Sequence, residues 1–246
     1  MQTESAKPNQ RLFESVRARV LDRLRSGEWS PGDRIPTEAQ LASEFDVGIG
    51  TIRRAVEDLV AQGVLIRRAR RGTTVAKHTD DHSFDLYFSF VDQAGEPLKL
   101  SAQMLGFKKE RASPDVSRAL RLPQGARVAR IDNLRLLDET PLMVDRIWIP
   151  LDRFADLSAS TFAARRSSIY RFYQEHYGIS VVRVVENLGA CVADEALAEP
   201  LGIAVGEPLL HIQRTAFTYN DTPIEFRDRY VNSVGCKYQN VRGLQD

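Results

Sequence analysis

The sequence contains few cysteines and histidines, and it has no long uninterrupted apolar run. Its two cysteines, Cys191 and Cys236, have the spacing of neither a metal site nor a redox pair, so we expect two reduced thiols. The four histidines are scattered and predict no metal centre. No apolar stretch approaches the roughly 18 residues of a membrane span, and the first ten residues lack the apolar core of a secretory signal. These absences predict a cytoplasmic protein without a metal, a cofactor or a membrane partner.

The composition is typical of a globular protein, with 43% hydrophobic and 27% charged residues. A chain of 246 residues is long enough for two domains. The net charge is only +1, but residues 1–77 carry 14 Lys and Arg against 10 Asp and Glu, whereas residues 78–246 carry 20 against 23. A short polar stretch separates the two parts. We therefore predict an N-terminal domain at 1–77, a linker at 78–84 and a C-terminal domain at 85–246.

The N-terminal third shows the apolar periodicity of three helices. In the first, apolar residues recur three or four positions apart from Phe13 onward. Thr37 and Gln40 have the spacing of a capping box at the start of a short second helix. The third begins near Gly48, where an N-cap would fall, and ends at Gly63.

Basic residues are concentrated just after the third helix. Two short β-prone runs, 64–66 and 73–75, flank Gly72 and four arginines: Arg67, Arg68, Arg70 and Arg71. This pattern predicts a two-stranded basic hairpin. Three short helices followed by such a hairpin predict a winged helix-turn-helix. In that fold the third helix enters the major groove of DNA, and the hairpin, or wing, lies along the backbone or the minor groove.

Two glycines open the third helix, and two arginines follow one turn later. Gly48 and Gly50 have no bulky side chains, so the helix N-terminus can approach a phosphate, which its free amides and dipole favour. Arg53 and Arg54 project from the face opposite Ile52; one can reach a base edge and the other a phosphate. One alternative is an ordinary solvated helix face. Another is a winged helix that contacts protein, which predicts DNA affinity with little salt dependence.

The runs "LRSGEWSPGDRIPTE", "TIRRAVEDLVAQG" and "RRARRGTTVA" resemble the DNA-binding domain of the GntR family of bacterial transcription regulators. The resemblance implies a homodimer that reads an inverted repeat in double-stranded operator DNA, with contacts from Thr37, Thr51, Arg53 and the wing. With the helix start and the second arginine included, the predicted DNA-binding residues are Thr37, Ile49, Gly50, Thr51, Arg53, Arg54, Arg68, Arg70, Arg71 and Gly72.

Four positions depart from the family pattern. Ala39 stands where the family commonly has arginine, Gly48-Ile49 replaces Ser-Arg at the start of the recognition helix, and Arg70 replaces a glycine in the wing. Ile49 can contact a thymine methyl where an arginine would hydrogen-bond guanine. The resemblance therefore predicts DNA binding without specifying the operator sequence.

The remaining two thirds of the chain alternate between strand and helix patterns and predict an α+β domain. Strands are predicted at 98–112 and 181–194, and two further strands are joined at 138–140. The run "SSIYRFYQEHYGI" predicts a helix with Ile169, Phe172 and Tyr173 facing inward.

A weak internal repeat relates Ser113–Trp148 to Ala193–Tyr230, at a separation of 81 to 82 residues. Each half reads as a helix followed by a β-hairpin. Two such units predict one antiparallel sheet with approximate two-fold symmetry, and the cleft between them is a natural ligand site. The alternative is a chance match of two helix-hairpin patterns.

Residues 85 to 240 resemble the UTRA effector domain of the HutC subfamily of GntR regulators. The resemblance rests on the run from Arg130 to "WIP", the helix start "SSIY" and the hairpin ending "DRY". It implies a chorismate lyase-like fold, an antiparallel sheet with flanking helices, that dimerises and binds a small-molecule effector. The implied effector-binding residues are Asn133, Arg135, Asp145, Ser167, Ser168, Tyr170, Glu225 and Tyr230. Asn133 stands where the pattern has a basic residue, which argues against a sugar phosphate as effector.

The chemistry of these residues suits an anion. Ser167 and Ser168 lie at a predicted helix N-terminus, and Arg135 can supply a bidentate clamp. The alternative is that the serines only cap the helix and Arg135 is solvated. An enzyme of chorismate lyase-like fold is a second functional class, but the sequence shows no nucleophile-base pairing and no glycine-rich phosphate loop. We therefore predict a transcription repressor, not an enzyme, that a small anionic metabolite releases from operator DNA.

Overall fold

A computed structural model describes residues 8–68, 72–77 and 90–240 of the chain. The predicted linker at 78–84 and the wing residues Arg70 and Arg71 lie outside the described residues, and Arg68 is described by its backbone alone. Among the helices of the described part, none is long and apolar enough to cross a membrane.

The N-terminal part consists of three helices and a two-stranded hairpin, as the sequence predicted. The helices are α1 (Pro8–Arg25), α2 (Glu38–Phe45) and α3 (Ile49–Ala61). Strands β1 (Leu65–Arg68) and β2 (Gly72–Val75) pair antiparallel. The arrangement is a winged helix-turn-helix, with β1 and β2 as the wing.

Local signals fix the helix ends, and apolar packing fixes how the helices meet. The Thr37 hydroxyl accepts a hydrogen bond from the Gln40 backbone N–H at 3.3 Å, and the Gln40 side chain accepts one from the Thr37 N–H at 2.9 Å. This reciprocal pair is the predicted capping box. Gly48 is the N-cap of α3. The core of this domain contains buried residues of all three helices and the wing, among them Val20, Leu41, Ile52, Leu59 and Val75.

The C-terminal part is built on a six-stranded antiparallel sheet. Its strands are β4 (Ser101–Arg111), β5 (Arg127–Leu137), β6 (Thr140–Pro150), β7 (Arg183–Val192), β8 (Pro208–Thr218) and β9 (Thr222–Val231), in the order β4-β5-β6-β9-β8-β7. A separate pair contains the short strands Phe90–Val91 (β3) and Lys237–Tyr238 (β10). The helices are α4 (Pro114–Ala119), α5 (Ala159–Ala163), α6 (Ile169–Tyr177) and α7 (Glu195–Leu201). This is the predicted α+β class.

The internal repeat corresponds to two equivalent units of the fold. The first contains α4, β5 and β6, and the second contains α7, β8 and β9. Their inner strands β6 and β9 pair with each other, and Arg146 lies opposite Asp228, 82 positions later in the chain. Because 82 is the separation of the repeat itself, the approximate two-fold axis of the sheet passes near this pair.

The two faces of the sheet are covered differently. On one face, α5 and α6 pack over one end in a cluster that includes Phe162 and Phe172. Strands β3 and β10 approach the other end of that face through Phe90 and Tyr238. On the opposite face, α4 and α7 each cover one end. A strip of this face therefore lies between its two apolar clusters.

Candidate DNA interface and effector site

The N-terminus of α3 presents small and apolar residues to solvent. Ile49 is 46% exposed. At Gly48 and Gly50, no described atom beyond the adjoining residues and the helix's own backbone lies within 4 Å of the place where a Cβ would stand. The free amides at a helix N-terminus attract an anion, so this end is chemically suited to a DNA phosphate.

The two arginines of α3 point in different directions. The Nε of Arg53 donates to the Glu38 carboxylate at 3.0 Å, and its side chain is 57% exposed. The guanidinium of Arg54 lies over the Phe13 ring of α1, 4.8 Å from the ring centroid, as in a cation–π contact. Arg53 therefore faces α2 and the wing, whereas Arg54 faces α1.

A groove separates α2 from the wing and is lined by Arg34, Thr37, Glu38, Arg67 and Gly72, among others; we call it the wing groove. Arg67 donates to the Glu38 carboxylate at 2.6 Å. Gly72 has a φ of 79°, and a Cβ on it would stand 2.8 Å from the Arg34 Nε. The positive φ favours glycine here, and any side chain at this position would also require the Arg34 side chain to move.

A band of polar residues fills the strip between the two apolar clusters of the sheet. We call it the polar band; its members are Asn133, Arg135, Asp145, Glu186, Arg214, Glu225, Arg227 and Arg229. Directly paired residues of neighbouring strands share a face. The register pairs Asn133 with Asp145 and Asp145 with Arg229, and farther along it pairs Arg227 with Arg214 and Arg214 with Glu186.

Asp145 is the fully buried centre of the polar band. Its two carboxylate oxygens accept hydrogen bonds from Arg229 at 2.6 and 2.9 Å. Arg135 and Arg227 approach the same carboxylate at 3.4 and 3.5 Å. Burial acts to raise the pKa of Asp145, but Arg229, Arg227 and Arg135 together overcome that effect and hold the pKa far below its usual range. Asp145 is therefore ionised at neutral pH.

Glu225 is a second buried carboxylate and links the sheet to α6. It accepts hydrogen bonds from the hydroxyls of Tyr170 at 3.4 Å and Tyr173 at 2.6 Å. Arg227 pairs with it at 2.7 Å. Burial, together with Glu225, raises the pKa of both tyrosines. The two hydroxyls therefore keep their protons and serve as donors.

In the described structure the polar band has more positive than negative charge, with four arginines against three carboxylates. The Arg135 side chain is 18% exposed, against 5% or less for the other three arginines. Burial lowers the pKa of Arg135 to about 10, and Arg229 and Arg227 act in the same direction against the opposing effect of Asp145. Arg135 is thus still charged at neutral pH and is the most accessible cation of the band.

Three polar atoms of the polar band are buried and have no hydrogen-bond partner within the described ranges. They are the two terminal amide atoms of Asn133 and the Nε of Arg227. Buried polar groups are nearly always hydrogen-bonded, because leaving one unpaired costs about 1–3 kcal/mol. These atoms are groups that a polar ligand can satisfy.

The structure brings most of the predicted effector residues together. Four of them are members of the polar band, and Tyr170 contacts it through Glu225. Ser168 is the N-cap of α6 and accepts a hydrogen bond from the Arg171 N–H at 3.3 Å; Ser167 precedes it and is half-buried.

Tyr230 requires a correction. It lies on the opposite face of the sheet, stacked on His211 with ring centroids 4.7 Å apart. Successive side chains of a strand point to opposite faces. Because its neighbour Arg229 faces the polar band, Tyr230 faces away from it.

Sequence reasoning missed Glu186, Arg214, Arg227 and Arg229. A signal for two of them was present, because Glu225, Arg227 and Arg229 stand two residues apart along one strand and must share a face. Arg214 and Glu186 join the band only through the pairing register of β7, β8 and β9. A single sequence does not reveal that register.

Comparison with known proteins identifies both parts of the chain. Residues 12–75 match the family described as bacterial regulatory proteins, gntR family, and residues 96–233 match the UTRA domain. This chain is a GntR-family regulator. The match also confirms the winged helix-turn-helix and the UTRA effector domain that the sequence predicted.

Similar proteins of the GntR family are named as repressors. The chain is 31% identical to a protein assigned as the transcriptional repressor of the fructoselysine utilization operon in Escherichia coli (strain K12), over 95% of this chain and 93% of that protein. It is 25% identical to the repressor NagR of Bacillus subtilis (strain 168), over 87% of each.

A solved structure supports the fold of the effector domain. The ligand-binding domain assigned to a GntR-family regulator from Bordetella bronchiseptica is 28% identical, with a TM-score of 0.62 over 64% of this chain and 98% of that one. The family and these relatives confirm a ligand-responsive, DNA-binding transcription regulator. They give no support to the enzyme that was the alternative.

Proposed function

We propose that this regulator is a cytoplasmic homodimeric repressor that binds an inverted repeat and leaves it when a small anionic metabolite enters the polar band. The observation that supports the effector class is the excess of buried positive charge around Asp145, with Arg135 at its accessible end. An anion would balance this excess, and guanidinium groups bind carboxylates and phosphates in bidentate geometry. The names of both relatives support repression, and that of the Escherichia coli protein supports control of an operon for the use of a small polar compound.

The DNA contacts that we propose follow the geometry of α3. Ile49, Gly50 and Thr51 are at its open end, and Arg53 projects beside the wing groove, where it can reach a base edge. Arg54, held over Phe13, is placed to meet a phosphate. Thr37 and the wing residues Arg68, Arg70, Arg71 and Gly72 complete the proposed interface.

A contact between the two domains offers a route for the response. Tyr219 lies in the turn between β8 and β9 and belongs to the apolar cluster of the DNA-binding domain, where its turn contacts α1. Strand β9, which begins at Thr222, also contains Glu225, Arg227 and Arg229 of the polar band. We propose that this hairpin, together with the linker, couples effector binding to the position of α3. An effector acts in this way only if it binds one of two domain arrangements more tightly.

The test begins with mass spectrometry of small molecules retained by the purified protein. The identified compound is then titrated by calorimetry into wild type and Arg135→Ala, and DNA release is followed by gel shift. The variant should bind the compound more weakly by about 1.5–3 kcal/mol, because a charged hydrogen-bond donor is lost, and should keep its DNA affinity.

Arg130→Ala is the matched control. Arg130 lies on the same strand but on the opposite face, where it pairs with Asp132 at 3.0 Å. It should leave effector binding and release unchanged. An Arg135→Ala protein that binds the compound normally and still leaves DNA would show that the effector binds outside the polar band.

A further inference from the structure

Glu38 is a carboxylate that contacts both the recognition helix and the wing. It is the first residue of α2, and its two oxygens are used separately: one accepts from Arg53 of α3 at 3.0 Å and the other from Arg67 of β1 at 2.6 Å. Its side chain is only 24% exposed, whereas those of Arg53 and Arg67 are 57% and 46% exposed. The better-buried carboxylate thus anchors two solvent-facing arginines from different elements.

The way in which Glu38 contacts Arg53 determines which donors of that arginine remain available. A guanidinium has five N–H donors in a rigid planar fork. Glu38 uses the Nε of Arg53, so the edge formed by the two terminal nitrogens is the one left for another acceptor. Two parallel donors of this kind match O6 and N7 of guanine in the major groove.

Holding Arg53 in advance reduces the entropy that is lost when it binds a base. Arginine is among the side chains with the most rotamer freedom. Immobilising such a side chain at an interface opposes binding, and an arrangement already present in the free protein avoids part of that loss. A carboxylate in this position therefore favours sequence-specific contacts.

The same carboxylate acts against binding that depends only on phosphate charge. Non-specific affinity for DNA comes from lysine and arginine neutralising phosphates. In the wing groove, Glu38 neutralises part of the charge of Arg53 and Arg67 and adds a negative charge of its own. Removing it should strengthen attraction to any DNA sequence.

We infer that Glu38 is a positioning residue for sequence discrimination: it orients Arg53 toward a base edge and limits non-specific binding by Arg53 and Arg67. This inference rests on the proposed contact of Arg53 with the operator. It assigns opposite effects to one residue on two kinds of DNA, which a purely structural role would not produce.

The test uses the full-length protein, an operator duplex selected from a random library with the wild type, and a random duplex of equal length. Binding is measured by fluorescence anisotropy over a range of salt concentrations. Glu38→Gln should weaken operator binding about tenfold, the effect of misplacing one bidentate base contact. It should strengthen random-duplex binding about two- to threefold, with a steeper salt dependence.

Glu57→Gln is the matched control, because it removes the same charge from α3 at 3.8 Å from Arg67. It should shift operator and random binding by similar small factors. A double-mutant cycle adds Arg53→Ala, in whose background Glu38→Gln should no longer weaken operator binding.

Two results would overturn the inference alone while the Arg53 contact stands. One is a Glu38→Gln protein that binds both duplexes with the same change in affinity. The other is a loss of operator affinity on Glu38→Gln that is equally large in the Arg53→Ala background. If Arg53→Ala itself binds the operator normally, both the proposed contact and this inference are wrong.

Discussion

Two clusters in this regulator each contain a carboxylate paired with arginines, but they differ in solvent exposure. In the wing groove, Glu38 pairs with Arg53 and Arg67, whose side chains are about half exposed. In the sheet, the fully buried Asp145 pairs with Arg229 and Arg227, which are 3% and 4% exposed. The ion-pair distances overlap, so burial is what distinguishes the two clusters.

Burial determines what each cluster contributes. Exposed ion pairs are screened by water and salt and contribute little to folding. The ion pairs of Arg53 and Arg67 therefore contribute little to folding, and both side chains remain accessible to DNA. A buried pair is different, because removing one partner leaves an uncompensated charge in a poorly solvated site. Removing one partner from an ion pair of the polar band is therefore expected to destabilise the effector domain.

The largest effect, on the stability of the effector domain, is expected from Asp145→Asn. It leaves the four arginines of the polar band with two carboxylates, and removing one partner of a buried ion pair costs about 3–5 kcal/mol of folding free energy. The two tryptophans of the chain, Trp29 and Trp148, lie in different domains. Urea unfolding followed by Trp148 fluorescence in a Trp29→Phe background therefore reports on the effector domain alone.

A second substitution controls for this result. Adding Arg229→Met to Asp145→Asn removes one of the unpaired charges and replaces it with an apolar chain, so part of the lost stability should return. If Asp145→Asn lowers the free energy of unfolding by less than about 1 kcal/mol, Asp145 contributes no more than an exposed ion pair does. The two clusters would then not differ in their contribution to folding.

A smaller effect, on the coupling between effector binding and DNA release, is expected from a substitution where the two domains meet. Tyr219→Ala removes the ring that the effector domain contributes to the core of the DNA-binding domain. It should leave effector and operator binding intact when each is measured alone. Allosteric couplings are typically about 1–3 kcal/mol, and the variant should lose most of this coupling, seen as weaker DNA release at saturating effector.

Asp221→Asn is the control for Tyr219→Ala. It changes the same turn, but its carboxylate pairs with Arg121 of the effector domain at 2.8 Å. Coupling in this control should stay at the wild-type value. If Tyr219→Ala releases DNA as the wild type does, the response travels through the linker without this hairpin.

The two regions also differ in how far the sequence predicted them. In the DNA-binding domain, the capping box at Thr37 and the N-cap at Gly48 are local signals, and the structure contains both. In the effector domain, the repeat predicted the two helix-hairpin units. It did not predict that Arg214 meets Glu186, because that contact depends on how separate strands align. Tyr230 was misplaced because a one-residue difference along a strand reverses the face.

The smallest effect is expected from Glu38→Gln on folding. The carboxylate joins three elements, yet both arginines are about half exposed, and exposed ion pairs contribute about 0–1 kcal/mol. Glutamine keeps an oxygen that can accept from either arginine, and the capping box at Thr37 and Gln40 is untouched. The free energy of unfolding, measured by urea denaturation with Trp29 fluorescence in a Trp148→Phe background, should therefore change by less than about 1 kcal/mol. Such a value, beside a tenfold loss of operator affinity, would show that Glu38 acts on recognition and not on stability. A loss of stability comparable to that of Asp145→Asn would instead mean that the ion pairs of Glu38 also stabilise the DNA-binding domain.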